Sequence, residues 1–189
     1  TVLRRRPPLS PPIRLKPVWT YQSAMKFSES WLRSLVNPAV VDSEFSHLLT
    51  MAGLEVESEE RVAPAFDQVI VAQILEVDKH PAADRLHVCR VDIGAGETAQ
   101  IVCGAPNAAA GRKVPCALPG AQLPYGLTIK VAKVRGVTSA GMLCSAKELG
   151  IAEDATGLMI LADEAPVGEN IRRYLDLDDR LLMLKLTPN

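Results

Sequence analysis

Lys133 and Arg135 stand two residues apart at the head of "KVRGVTSAGMLCSA", a stretch that continues with Thr138, Ser139, Ser145 and two glycines. Alternating cations followed by hydroxyls fit neither a metal cage nor a nucleophile with its base. They fit an anion. Lysine and arginine supply charge to a phosphate chain, hydroxyls and free backbone N–H groups add neutral hydrogen bonds, and glycines let the backbone approach closely. A second cluster lies about fifty residues earlier, where "VDKHPAADRLHVCRV" sets Lys79, His80 and Arg85 around a proline turn. With Lys130 on the later segment, the two clusters would form one basic strip if a barrel brought them side by side. The same charges also suit a plain solvated face, because aromatic platforms for base stacking are scarce: Phe, Trp and Tyr make up 4% of the chain.

Catalysis has less support. Ser145, Cys144, His80 and His87 offer formal Ser–His or Cys–His pairs, but no third orienting group and no G-x-S-x-G elbow accompany them. "GAPNAAAGRK" ends like a phosphate loop yet lacks the lysine–hydroxyl pairing. Cys89, Cys103, Cys116 and Cys144 include no C-x-x-C pair, so neither a catalytic nor a metal site is expected. Each sits in an apolar stretch and reads as a buried, reduced thiol suited to the cytoplasm.

The formal net charge of -1 conceals an asymmetry. Residues 1–24 hold five basic residues, five prolines and no acid, leaving 16 bases against 22 acids in the rest. Such a segment cannot make a regular helix and is expected to be a disordered leader. A transit peptide, a basic RNA-binding tail and non-native sequence upstream of a natural start at Met25 are the open readings; a secretory h-region is missing. No apolar run approaches the roughly 18 residues of a membrane span.

These groups need elements to hold them. Ser28 predicts a helix cap with the helix running over residues 29–36 until Pro38 stops it. Asp42 or Ser43 predicts a second cap, with Phe45, Leu48, Leu49 and Ala52 on one face and Gly53 as the exit. "LEVESEERV" alternates as a strand. Beyond residue 66 the texture turns to short strands: "VIVAQILEVDKH", then "RLHVCRVDIG" with a bulge between Val88 and Cys89. "TAQIVCG" returns after a tight turn at 94–97. "KVPCALPG", a continuous "LTIKVAKVRG" and "GLMILAD" complete the set. Strands at this spacing predict a small closed barrel of the five-stranded oligonucleotide-binding type.

Three blocks, "HPAADRLHVCRVDIG", "IVCGAPNAAAGRKVPCALPGA" and "KVRGVTSAGMLCSAKELGI", resemble the signature blocks of the tRNA-binding barrel in bacterial phenylalanyl-tRNA synthetase β subunits. "MKFSESWLRSLVNP", "LLTMAGLEVES" and "LMLKLTPN" resemble the flanks of the same subunit. The resemblance implies an α+β fold: an OB-fold barrel over residues 64–166 inserted in a small α/β module made of 25–63 and 167–189. It implies tRNA as ligand, with Lys79, His80, Arg85, Lys130, Lys133, Arg135, Ser139 and Ser145 facing it, Met142 packed below and Gly136 and Gly141 turning the chain. It further implies a non-catalytic N-terminal part of a longer β subunit. That part needs no cofactor, while the parent ligase uses ATP and Mg2+ and pairs with an α subunit. A free-standing tRNA-binding protein, or a barrel used for binding a protein or a sugar, is the competing reading.

Overall fold

Ser28 begins the first helix as its type predicts: its hydroxyl accepts the Trp31 N–H at 3.0 Å. The structure, a computed structural model, describes residues 24–185. The basic leader expected over 1–24 therefore lies outside them, apart from Ala24. Strand β1 (Ala24–Ser28) runs into helix α1 (Glu29–Leu35). Helix α2 (Asp42–Met51) starts one residue earlier than its acidic cap predicts, with Val41 at the N-cap and no side-chain capping bond. Of its expected apolar face only Phe45 is buried outright; Leu48 stays 41% exposed. Strand β2 (Val56–Arg61) follows.

The next strands are β3 (Val69–Lys79), β4 (His87–Gly94), β5 (Glu97–Cys103) and β6 (Lys113–Ala117). After them come β7 (Gln122–Leu123), β8 (Leu127–Thr128), β9 (Ala132–Val134), β10 (Val137–Ser139) and β11 (Met142–Leu143). A short helix α3 (Ile171–Tyr174) precedes β12 (Arg180–Lys185).

Five antiparallel strands form the main sheet in the order β11-β6-β3-β4-β5. Its ends meet: Ala140 N–H donates to Gln100 O at 2.9 Å and the Val102 N–H to the Ser139 hydroxyl at 3.0 Å. The sheet thus curls into an OB-like barrel within an α+β fold. Ile74, Cys89, Val91, Ile101, Val114 and Cys116 fill it with no measurable exposure. A second cluster below joins Val69, Val71, Leu149, Ile171 and Leu177.

Several strand expectations need correction. The bulge lies in β3, between Ile74 and Glu76, while Val88 and Cys89 pair regularly with Asp78 and Val77. Placing the extra residue at Leu75 turns β3 without disturbing the buried Cys89. "LTIKVAKVRG" is broken rather than continuous: Ile129 is buried, Val131 is 58% exposed, and only β8 and β9 make ladders. "GLMILAD" forms no ladder strand, although Met159 and Leu161 donate to Cys144 O and Lys113 O. The sheet edge is β11 instead. Gly141 allows it: at φ 141° a Cβ there would lie 2.8 Å from Ala117 O.

A separate sheet, β1-β12-β2, joins both ends of the described chain. Asp179 ties its start, accepting from the Ser28 hydroxyl, the Ser30 hydroxyl at 2.8 Å and the Ser30 N–H at 3.0 Å. Partial burial raises the Asp179 carboxyl, but these donors and the Arg180 N–H outweigh it and hold its pKa below the usual carboxylate value. A carboxylate held down contributes stability above its unfolded pKa and loses it as pH falls through the folded one. Asp179→Asn should therefore flatten the loss of stability with acid below about pH 4. Denaturant midpoints across that range check it, and parallel parent and variant curves would refute it.

Candidate nucleic-acid interface

A two-residue turn joins β9 to β10, with Val134 paired to Val137. Arg135 (φ 46°) and Gly136 (φ 92°) both occupy the left-handed region, as a type I′ hairpin requires. Glycine takes that conformation freely. Arginine pays about 1 kcal/mol for it and stands exposed at the tip.

The opposing arm is the turn after β3. His80 N–H donates to Leu86 O at 3.0 Å and Leu86 N–H to Ala83 O at 3.0 Å, closing residues 80–86 on themselves. His80 is 5% exposed. Its Nδ1 accepts the Ala82 N–H at 3.1 Å, and its Nε2 lies 3.1 Å from Val134 O. An accepting Nδ1 assigns the proton to Nε2, which donates to Val134 O. One neutral ring thus fastens the turn to the hairpin. Between them opens a cleft of about 510 Å³ lined by Ala82, Ala83, Asp84, Arg85, Leu86 and Arg135.

The structure brings Arg85 and Arg135 to this one cleft. Lys133 is exposed on β9, Lys79 at the end of β3 and Lys130 three residues before Lys133; these three do not line the cleft. Among the described residues none of the five cations takes part in an ion pair. Elsewhere Lys26, Arg90, Arg172, Arg180 and Lys185 each hold a carboxylate.

The expected polar contacts differ. His80, Ser139 and Ser145 point their polar atoms inward. The Ser139 hydroxyl accepts the Val102 N–H and donates to Gly141 O, both at 3.0 Å. Ser145 caps the turn that follows it: its hydroxyl and N–H donate to Glu148 Oε2 at 2.7 and 2.6 Å, while the Glu148 N–H returns to Ser145 Oγ. Met142 packs against the lower core, as expected. Sequence reading misses Asn107, whose amide donates to Leu158 O and accepts the Leu158 N–H, pinning the 104–111 loop. An asparagine in a run of small residues signals a turn and not its distant partner.

All four thiols are free and buried. Burial pushes Cys116 up to about 12 and raises Cys144, aided by Glu148. Cys103 is lowered, because the Cys89 thiol beside it donates to it; burial opposes this and the Ala105 N–H adds to it. Among the described residues no group of three His, Cys, Asp or Glu side chains could hold a metal ion. No described helix is long and apolar enough to cross a membrane.

Comparison with known proteins places the sequence in a family. The family model described as "Putative tRNA binding domain" matches residues 69–170. The chain is 69% identical over 165 residues to the phenylalanine–tRNA ligase beta subunit of Dechloromonas aromatica, covering 87% of this chain and 21% of that protein. It is 66% identical over 165 residues, with the same coverage, to the beta subunit of Thiobacillus denitrificans. The chain thus spans about a fifth of the length of the curated relatives it matches. Among solved structures, a MetRS related protein from Pyrococcus horikoshii matches with TM-score 0.42 and 26% identity, over 55% of this chain and 88% of that one. Since the tRNA-binding model spans more than half of the sequence and coincides with the barrel that carries the arginine cleft, the chain belongs to the tRNA-binding-domain family.

Proposed function

We propose that this chain is part of the beta subunit of a cytoplasmic phenylalanine–tRNA ligase, and that its barrel binds tRNA in support of aminoacylation. The observation that carries the reading is the convergence of Arg85 and Arg135 on one open cleft; Lys79, Lys130 and Lys133 are exposed on the same barrel and, among the described residues, make no ion pair. High identity to phenylalanine–tRNA ligase beta subunits supports the parent enzyme. The barrel is assigned to residues 64–166 and the flanking module to 25–63 with 167–189. ATP- and Mg2+-dependent chemistry is assigned to the rest of the ligase, including an α subunit, and not to this stretch. Trp31, Leu35 and Met51 are apolar side chains exposed on the surface of the two helices and available to such neighbours. A free-standing tRNA-binding protein would leave that surface uncovered.

Titration with tRNA over a range of salt tests the reading. Three to five phosphate contacts should give a slope of log affinity against log salt of roughly -2 to -4.5. The remaining acidic surface opposes binding, so it should be visible at low salt and largely lost near physiological salt. Arg135→Ala should weaken binding to all tRNAs alike and flatten the slope by about 0.7–0.9, because a phosphate contact positions without reading bases. Lys133→Ala should act in the same way. If both variants bind with the parent's affinity and slope, the RNA face is not here.

A further inference from the structure

We propose that the Arg85–Arg135 cleft seats a single phosphodiester group and that buried His80 is the positioning residue that assembles it. This rests on the tRNA-binding reading and specifies its ligand chemistry. The two arms of the cleft are far apart in sequence. Among the described residues, the bond from His80 Nε2 to Val134 O is the one side-chain hydrogen bond that joins them. Val134 immediately precedes Arg135, so fixing its carbonyl fixes the start of the turn that presents the guanidinium. On the other arm, Nδ1 holds the Ala82 N–H, which shapes the turn presenting Arg85. Both ring nitrogens are committed, and the ring is nearly fully buried. Loss of either bond would leave a buried polar atom unsatisfied.

The cleft's chemistry selects its ligand. Two guanidiniums and one carboxylate, that of Asp84, line the cleft and give it a net charge of about +1. This balances a monoanionic diester better than a dianionic terminal phosphate. The backbone N–H groups of Asp84 and Arg85 make no hydrogen bond within the described residues and are free to add neutral donors to the guanidinium forks. The other lining residues are Ala82, Ala83 and Leu86, which offer nothing to read a base edge. The seat therefore takes the backbone of an RNA strand whatever its sequence.

Salt-dependent titration of the whole chain with unmodified tRNA, arranged as a double-mutant cycle, tests the proposal. Arg135→Ala alone should flatten the salt slope by about 0.7–0.9. His80→Ala should flatten it at least as much. Adding Arg135→Ala to His80→Ala should then change little, because the guanidinium is already misplaced. Lys133→Ala, outside the cleft, should flatten the slope equally with and without His80. Two substitutions separate positioning from general destabilisation. His80→Gln keeps a donor able to reach Val134 O and should restore most of the slope. His80→Asn keeps an acceptor for Ala82 but lacks that reach, and should not. They also carry the test should the alanine variant fail to fold. Equal costs of Arg135→Ala in both backgrounds, or parental slopes in His80→Asn, would overturn the seat while leaving tRNA binding intact. A parent chain that binds no tRNA at low salt would overturn both.

Discussion

Glu29→Ala is expected to destabilise the protein by about 3 kcal/mol, although Glu29 lies on a seven-residue helix at the periphery. Its carboxylate is the hub of the β1-β12-β2 unit and only 5% exposed. One oxygen accepts from Arg33 Nε at 2.8 Å and the other from Arg180 Nε at 2.6 Å. Arg180 reaches on to Glu59 at 2.9 Å, and Arg33 stacks over the Phe45 ring at 4.4 Å. Removing the shared carboxylate leaves two largely buried guanidiniums beside each other without their common counterion. By contrast, Glu60→Ala breaks a pair with Lys26 whose side chains are 56% and 44% exposed, and should cost less than about 1 kcal/mol. Denaturant midpoints for the two variants check the contrast. A Glu29 variant as mild as the Glu60 variant would remove the hub from the account.

A larger loss, about 4 kcal/mol, is expected for Ile74→Ala in the barrel. Ile74 has no measurable exposure, lies on the central strand and packs in the cluster with Cys89, Val91, Ile101 and Leu143. Its N–H donates to Arg112 O at 2.9 Å and its carbonyl accepts the Gly111 N–H at 2.7 Å. The backbone cannot readily shift to fill the space, so most of the cavity should remain. Leu75, the bulged neighbour, is 36% exposed, and Leu75→Ala should cost no more than about 1 kcal/mol. Chemical denaturation of both variants checks the pair. Equal losses would mean that the barrel interior relaxes around the deletion.

Local signals in the sequence are informative where the partner is also local. Ser28 caps α1 three residues away, and Ala95 and Gly96 make the predicted turn between β4 and β5. The alternation of the β-rich part is enough to specify a barrel. The strand from 127 to 134 misled because its apolar alternation does not reveal that only Ile129 reaches the core while Val131 faces solvent. The bulge expected between Val88 and Cys89 falls on the wrong strand of its pair, since a slip in alternation at Cys89 and an extra residue at Leu75 change the relative register of the two strands in similar ways. At the candidate site, cations were legible because a long charged side chain stays outside almost wherever its strand runs. The roles of His80 and Ser139 were not legible. Each depends on a partner 54 or 37 residues away, and short polar groups satisfy buried backbone as readily as they bind a ligand.

Placing β12 between β1 and β2 also sets a timetable for synthesis. Both outer strands leave the ribosome before their shared neighbour, which is the last of the described elements to be made. At about 5–20 residues per second, the stretch from Arg61 to Arg180 takes roughly 6–24 s to translate. Strands β3 to β11 are complete before then, so the barrel can close while Phe27 and Val56 still wait for Leu182 and Leu184 to pair beside them. The nascent chain therefore passes through a stage with a finished barrel and an unsealed apolar N-terminal flank. That interval is when a ribosome-bound chaperone has most to protect, and when a stalled chain is most prone to aggregate.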